Sequence, residues 1–218
     1  PRRMHEIVAR VGLAALFRAA GFGERMAEVV RLPRLGGAAA VLGDHTQGPG
    51  AFIGVGAPYG RLTADQLALL GELAGERGAG ELRLTPWRAI LIPGIKPEKM
   101  PRIRPWIAGG RFVFAPDDPR LAVVTCAGST GCRSATVDTR ADAEHLAASA
   151  RHLAKSGVAL HVSGCEKGCA RPGKTLVTLT GRDGAYDLVR DGRAWDEPWL
   201  TGLTVAEAAA AIADLSPL

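Results

Sequence analysis

The 218-residue sequence lacks several features that mark common classes of protein. No apolar run approaches the ~20 residues that a membrane-spanning helix needs, and no stretch has the order of a signal peptide. Aromatic residues make up only 5% of the chain, and its basic residues form no compact block in spite of the net charge of +5. We therefore predict neither a membrane nor a nucleic-acid partner, and the cytoplasm is the default location.

Motifs of several enzyme classes are also missing. The sequence contains no P-loop for phosphoryl transfer and no Ser–His–Asp order typical of a serine hydrolase. Gly54-Val55-Gly56 resembles the start of a dinucleotide-binding fingerprint, but the third glycine is absent. We therefore do not predict a dinucleotide site at this position.

Hydrophobic periodicity and turn residues predict an α+β chain in three segments. Residues 1–36 are predicted to be a helical lead-in and linker. Residues 37–115 follow the order strand, strand, helix, strand, helix, which is typical of a split βαβ unit. The run Pro116-Asp117-Asp118-Pro119 marks a boundary, and residues 116–218 are predicted to form a second domain of strands and helices.

The helices and strands predicted within these domains show where the candidate site residues lie. In residues 37–115 we predict strands at 38–42 and 51–55, a third strand at 81–85 and 88–92 that Pro86 interrupts, a helix at 64–77 capped by Thr63, and a helix at 96–107. In residues 116–218 we predict strands at 121–125 and 158–162 and a hairpin of 175–180 with 185–189. A helix at 139–155 is predicted to be capped by Asp138 or Thr139, and a helix at 205–215 by Thr204.

The four cysteines form two pairs, each in a glycine-rich stretch that follows a predicted strand. The first pair is Cys126 and Cys132, separated by five residues, and the second is Cys165 and Cys169, separated by three. Thiolate is a soft ligand that both zinc and iron–sulfur clusters accept, and a cubane cluster takes four. The intervening glycines let the backbone approach a bulky inorganic core.

Other interpretations of the four cysteines remain open on spacing alone. Zinc sites usually place two to four residues between paired ligands, so the five-residue gap argues mildly against zinc. Disulfides are disfavoured in a reducing compartment. Unrelated buried cysteines would not gather in two glycine-rich loops. The pattern therefore favours a single iron–sulfur cluster in a redox enzyme, with zinc as the alternative.

The sequence motifs around the cysteines resemble those of the sulfite/nitrite reductase superfamily, and within it those of the precorrin-3B synthase family. The resemblance covers about residues 37–190. It rests on five stretches, Gly54–Leu62, Leu82–Arg88, Asp118–Leu121, His161–Cys165 and Lys167–Ala170.

This resemblance implies a fold and a set of cofactors. The fold would be a ferredoxin-like half-domain followed by a sulfite-reductase-type αβ iron–sulfur domain. The four cysteines would hold a 4Fe–4S cluster, which would pass electrons to a mononuclear iron site, either sirohaem or non-haem. Because the chain begins at Pro1 and shows one domain of each kind, it resembles the C-terminal half of a family member, with the N-terminal half absent.

The same resemblance implies an activity. The expected enzyme is an NADH- and O2-dependent monooxygenase of aerobic cobalamin biosynthesis, which hydroxylates precorrin-3A at C20 and closes a lactone. An electron donor would be a further partner. The alternatives are a sulfite or nitrite reductase with sirohaem and a 4Fe–4S cluster, or a non-catalytic half-subunit that carries a cluster or zinc.

Four basic residues are candidates for binding the carboxylates of a tetrapyrrole substrate. Arg83 and Arg88 flank a strand end, and guanidinium pairs bidentately with carboxylate. Lys167 and Arg171 lie beside the second cysteine pair. A solvated strand end or local charge compensation is the alternative in each case. The four tryptophans are interpreted as packing residues, and the catalytic residues are not predicted.

Overall fold

A computed structural model describes residues 4–21, 37–46, 50–153 and 157–215 of the chain. The chain divides into two compact units, Pro1–Leu35 and Gly36–Leu218. In the first unit the described residues form helices α1 (Met4–Val11) and α2 (Leu13–Ala19). Both helices fall in the segment predicted to be helical, and residues 22–36 of that segment lie outside the described part.

The first sheet of the larger unit is antiparallel throughout. Its strands β1 (Gly43–His45), β2 (Phe52–Gly56), β3 (Arg83–Leu84) and β4 (Ala89–Pro93) lie in the order β1-β2-β4-β3. Helices α3 (Ala64–Arg77) and α4 (Met100–Gly109) contribute to the same apolar core. This core contains Ile53, Val55, Leu70, Ile92, Ile103 and Ile107.

The start of α3 shows why local sequence specifies these elements. The Thr63 hydroxyl accepts a hydrogen bond from the Gln66 amide, and the Gln66 side chain accepts one from the Thr63 amide. This capping box satisfies two amides that a helix start leaves without partners. The cap predicted at Thr63 is therefore confirmed.

The second sheet is mixed. It contains β5 (Val123–Thr125), β6 (Leu160–Ser163), β7 (Thr175–Arg182), β8 (Ala185–Gly192) and β9 (Leu200–Leu203) in sequential order. Strands β5, β6 and β7 are parallel to one another, whereas β8 and β9 are antiparallel to their neighbours. Helices α5 (Thr139–Ser149) and α6 (Val205–Ala213) pack on its apolar face, where Leu146, Leu160, Leu179, Leu188 and Ile212 are buried.

The structure corrects several predicted boundaries. The apolar run predicted as a strand at 38–42 forms a short 3₁₀ turn at Ala38–Ala40 and leads Leu42 into the core, so the strand begins at Gly43. Strand β9 was not predicted. Helix α5 ends at Ser149, and a 3₁₀ turn at Arg151–Leu153 replaces its predicted last turn.

Two side chains connect the parts of the unit that carry the two sheets. Tyr59 follows β2 but packs in the core of the second sheet, and its hydroxyl donates to the Ala143 carbonyl at 3.1 Å. Arg120 precedes β5, and its guanidinium donates to the carbonyls of Arg111 and Phe112. Each of the two parts therefore donates hydrogen bonds to the other. Among the described residues, no helix has the length and apolar character needed to span a membrane.

Candidate functional site

Both cysteine pairs lie at the same edge of the second sheet. Strands β5 and β6 pair in parallel, with Thr125 opposite Val162. Cys126 follows β5 directly, and Cys165 comes two residues after the end of β6. Because the carboxyl ends of parallel strands meet at one edge, the two loops that follow lie side by side. The parallel register therefore brings together Cys126 and Gly164, which lie 38 residues apart in sequence.

The Cys126 sulfur is surrounded by hydrogen-bond donors. The amide of Gly164, in the second loop, donates to Cys126 Sγ at 3.2 Å, and the amide of Gly128 does so at 3.5 Å. Thr139, at the start of α5, donates through its hydroxyl to the Cys126 carbonyl at 3.1 Å. Hydrogen bonds to cysteine sulfur are among the factors that set the properties of iron–sulfur clusters.

Further contacts join the first cysteine loop (residues 126–137) to the second (residues 164–171). The Thr136 amide donates to the Gly164 carbonyl at 3.0 Å, and Lys167 Nζ donates to Ser134 Oγ at 2.8 Å. A Cβ placed on Gly164 would lie only 2.5 Å from the Ala135 Cβ. Gly164 therefore allows a closer approach of the two loops than any side chain would.

The four thiols differ in exposure. Cys126 and Cys165 are half-buried, whereas Cys132 and Cys169 are exposed, and all four are free thiols. Within the described residues, no group of three or more His, Cys, Asp or Glu side chains is close enough to hold a metal ion. The structure thus brings the loops together without placing the four sulfurs at ligand distances from a common centre.

The chemistry of the loops fits an iron–sulfur cluster. They supply four thiol groups, amides directed at sulfur, and glycine at the closest backbone approach. Lys167 extends a positive charge to the first loop, which would offset negative charge on a bound group. Cys132 and Cys169 would have to move inwards on binding, as is usual where metal binding and local folding are coupled.

A cavity of about 820 Å³ lies between residues of the two sheets and borders the second cysteine loop. Its lining includes Gly56 and Arg88 from the first sheet, Val124 from the second, and Ala170 and Arg171 from the second cysteine loop. Its volume is in the range of small-molecule and cofactor sites. Four guanidinium side chains reach its lining, those of Arg88, Arg120, Arg151 and Arg171.

Two of these four guanidinium groups are paired with carboxylates. Arg120 forms an ion pair with Asp118 at 2.7 Å, and Arg151 lies 3.8 Å from Asp117. In the described part of the chain, no carboxylate lies within ion-pair distance of Arg88 or Arg171. Arg88 and Arg171 are therefore the cavity cations best placed to bind an anionic ligand.

The structure divides the four predicted substrate residues into two groups. Arg88 and Arg171 line the cavity, whereas Arg83 is exposed on β3 and bonded to Glu81 at 2.9 Å through Nε. Lys167 bonds to Ser134 in the first cysteine loop, outside the cavity lining. The cavity thus brings together Arg88 and Arg171, while Arg83 and Lys167 stay predictions without a cavity contact.

The pair of Asp118 and Arg120 in the cavity wall was not predicted as a functional element. Burial alone would raise the pKa of Asp118, but hydrogen bonds from the Arg120 side chain and amide lower it below its usual value. The same pairing raises the pKa of Arg120 above its usual value. Asp118 and Arg120 therefore stay charged and paired in this wall of the cavity. The available sequence signals were their proximity and their position in the Asp118–Leu121 stretch of the family resemblance.

A buried histidine lies on β6, three residues before the second cysteine loop. His161 is fully buried, and neither of its ring nitrogens has a hydrogen-bond partner within the described residues. Burial, together with the nearby charge of Arg171, lowers the pKa of His161 to about 4. Its imidazole is therefore neutral near pH 7.

Comparison with known proteins identifies relatives of both parts of the larger unit. Residues 44–105 match the family described as the nitrite/sulfite reductase ferredoxin-like half domain. The chain is 38% identical over 157 residues to the precorrin-3B synthase of Sinorhizobium sp, a match that covers 72% of this chain and 34% of that protein. It is 32% identical over 127 residues to the chloroplastic ferredoxin–nitrite reductase of Spinacia oleracea, covering 56% of this chain and 21% of that protein.

A solved structure shows the same fold. The Mycobacterium tuberculosis NirA protein superposes with a TM-score of 0.64 at 18% identity, over 88% of this chain and 39% of that one. The α+β fold with a ferredoxin-like half-domain is therefore confirmed. The chain spans about a third or less of the length of the two curated relatives described above. These relatives are oxidoreductases, and the chain belongs to the sulfite/nitrite reductase superfamily.

Proposed function

We propose that this chain is the cluster-bearing part of an oxidoreductase of the precorrin-3B synthase type. In this proposal Cys126, Cys132, Cys165 and Cys169 hold one 4Fe–4S cluster. The observation that carries the proposal is the bond from the Gly164 amide to Cys126 Sγ, which ties one cysteine loop to the other at the edge of parallel strands. When bound, such a cluster supplies single electrons.

The chain's own residues would set the environment of that group. The amides of Gly128 and Gly164 hold Cys126 in place through hydrogen bonds to its sulfur. The positive charge of Lys167 lies between the two loops. Hydrogen bonds and positive charge near the ligands favour the more negative, reduced state of a cluster.

The cavity would hold part of a tetrapyrrole substrate that carries carboxylates. Arg88 and Arg171 would pair with substrate carboxylates, since guanidinium stays charged and presents parallel donors. Arg171 comes two residues after Cys169, so a substrate held by Arg171 would lie beside the cluster loop. The Asp118–Arg120 pair would support the opposite wall.

The reaction proposed for the complete enzyme is the hydroxylation of precorrin-3A at C20 with lactone formation, using NADH and O2. It requires an electron donor and a mononuclear iron site, non-haem or in sirohaem. It also requires the other half of the enzyme, which would complete the substrate pocket. The similarity to the precorrin-3B synthase of Sinorhizobium sp supports this choice over a nitrite or sulfite reductase.

The first test concerns the cluster. The full chain, produced and reconstituted without oxygen, is expected to hold about four iron and four sulfide per chain and to give an EPR signal on reduction. Cys132→Ser and Cys169→Ser are expected to abolish the signal, while Ser129→Ala, at an exposed position in the first cysteine loop, retains it. Stoichiometric zinc without acid-labile sulfide would refute the cluster.

The second test concerns the substrate. Binding of a carboxylated tetrapyrrole to the reconstituted chain is followed by absorbance titration. Arg88→Ala is expected to weaken binding about tenfold or more, as for loss of one charge-assisted contact. The exposed Arg83→Ala serves as the matched control. Equal losses in both variants would argue against the cavity as the site. Sirohaem bands with sulfite- or nitrite-dependent oxidation of a reduced dye would instead indicate a reductase.

A further inference from the structure

The second cysteine loop is in contact with a tryptophan from a distant segment. Gly168 lies between Cys165 and Cys169 and has a φ of 57°, in the left-handed region that favours glycine. A Cβ placed on Gly168 would lie 3.2 Å from Trp195 Cζ3 and 3.2 Å from the Ala194 Cβ. The backbone of the loop therefore packs directly against the Trp195 indole and its neighbour.

Trp195 is held in this position by a turn that is itself anchored to the sheet. The Asp196 amide donates to the Arg193 carbonyl at 3.1 Å, and the Arg193 amide donates to Asp196 Oδ2 at 2.9 Å. The carbonyl of the buried Ala194 accepts from Thr180 Oγ1 on β7 at 3.0 Å. The Arg193 guanidinium lies 5.6 Å from the centre of the Trp195 ring, a cation–π arrangement.

A second tryptophan nearby offers a close comparison. Trp199 is 51% exposed and Trp195 is 47% exposed, and each carries an arginine over its ring. The Trp199 amide, however, bonds to the Leu188 carbonyl on β8, and among the described residues the atoms nearest to the Gly168 Cβ position belong to Ala194, Trp195 and Arg171. Trp199 is therefore a control for size, exposure and cation–π pairing, without the contact to Gly168.

We propose that Trp195 is a positioning residue that packs on the Cys165–Cys169 loop and restrains its backbone near the conformation from which it binds metal. The inference rests on the proposed cluster, since it assigns Trp195 to the loop that supplies two of its ligands. An indole against Gly168 reduces the conformational freedom of the loop backbone and leaves the exposed Cys169 side chain able to turn inwards on binding.

The primary test uses the reduced, metal-free full chain and does not depend on a cluster. Alkylation rates of the four thiols by iodoacetamide are measured by mass spectrometry. Trp195→Ala is expected to raise the rates at Cys165 and Cys169 about threefold to tenfold, as for loss of one aromatic contact. The rate at Cys126 provides an internal reference. Trp199→Ala is expected to leave the alkylation rates at Cys165 and Cys169 unchanged.

The second test uses the reconstituted chain. Trp195→Ala is expected to release iron to a chelator severalfold faster than the native chain, while Trp195→Phe retains most of the protection. Thermal unfolding of each variant verifies that it is folded, and Trp195→Leu, which keeps an apolar side chain but removes the indole, replaces Trp195→Ala if the latter is not. Equal alkylation rates for the Trp195 and Trp199 variants would overturn the inference. A native chain that binds no iron would instead refute the proposed cluster, and the alkylation result would still decide the role of Trp195 in the loop.

Discussion

The two sheets of the larger unit differ in what they bury. The core of the first sheet and its helices is apolar, from Ile53 on β2 to Ile107 on α4. Among the described residues, every polar or charged residue that is buried as a whole lies in the second sheet or at the start of α5. They are Thr125, Thr139, His161, Ser163, Thr175, Thr178, Thr180 and Asp187.

The strand arrangement explains this difference. In the antiparallel first sheet, hydrogen-bonded neighbours end at opposite edges, so no two adjacent strands end together. In the second sheet, the adjacent parallel strands β5 and β6 end together and bring both cysteine loops to one edge. The comparison indicates that the first sheet contributes an apolar packed wall and the nearby Arg88 to the cavity, while the second sheet contributes the cysteine loops. Substitutions in each sheet test that division.

The largest effect on stability is expected in the first sheet, which forms a wall of the cavity. Gly54→Ala would place a Cβ 1.6 Å from the Val41 carbonyl oxygen, a main-chain atom with no room to move. We expect a loss of more than ~3 kcal/mol in the free energy of unfolding, measured by urea denaturation. Gly71→Ala, on the exposed side of α3 with no atom within 4 Å, is the control and should gain ~0.5–1 kcal/mol. A Gly54→Ala variant as stable as the native chain would contradict the close packing of this wall.

The next effect concerns the buried histidine of the second sheet. The pKa of His161 is about 4 in the folded chain, below its ordinary value of 6.5, so only the unfolded chain takes up the proton between these values. Stability from the neutral imidazole is complete above pH 6.5 and is lost as the pH falls towards 4. Unfolding of the metal-free chain between pH 7 and pH 4.5 should show a loss of ~2–3 kcal/mol.

His161→Leu is expected to remove this part of the pH dependence. His145→Gln, at an exposed position on α5, serves as the control and should retain the native profile. If the native chain and His161→Leu lose stability in parallel as the pH falls, the assignment to His161 is wrong.

A smaller effect on stability, with a larger effect on the site, is expected at the meeting point of the two cysteine loops. Gly164→Ala would place a Cβ 2.5 Å from the Ala135 Cβ and 3.4 Å from Cys126 Sγ. We expect a loss of ~1–3 kcal/mol and, because the loops are forced apart, a strong loss of bound iron in anaerobic reconstitution. A Cβ on Gly173 would have no atom within 4 Å, so Gly173→Ala should bind iron as the native chain does. Normal loading of Gly164→Ala would show that the observed loop contact is not needed.

The smallest effect concerns the connection between the sheets. Tyr59→Phe removes the hydroxyl that donates to the Ala143 carbonyl in the core of the second sheet. We expect a loss of ~1 kcal/mol, since one buried hydrogen bond to the Ala143 carbonyl is removed. Arg83→Ala breaks the exposed pair with Glu81 and is expected to change stability by less than ~0.5 kcal/mol. Similar values for the two variants would show that Tyr59 does not act as a connection.

Local signals in the sequence predicted much of the secondary structure. The predicted caps at Thr63, Asp138 and Thr204 are confirmed, since each side chain accepts a hydrogen bond from the helix it precedes. Such signals work because a cap and its partner lie within a few residues of each other. Strand β9 was missed, because Gly202 within it gives no alternating apolar pattern.

The candidate site was predicted less completely than the secondary structure, because it depends on contacts between distant segments. The cysteines and their position after strands could be recognised from sequence, but the sequence favoured Arg88 over Arg83 only slightly. Those two arginines differ in whether they face a cavity shared by two sheets, which depends on packing between distant segments. The four tryptophans were interpreted as packing residues, yet Trp106, Trp195 and Trp199 are each about half exposed.

The sequence alone thus determined the identity of the thiols, the glycine-rich loops that carry them and the helix starts, because each depends on residues close together in the chain. Only the tertiary structure decided that Gly164 would donate to Cys126, that Arg171 would reach the cavity, and that Trp195 would rest on Gly168. These contacts depend on the register of the parallel strands and on the path of the chain after β8, which no local pattern specifies.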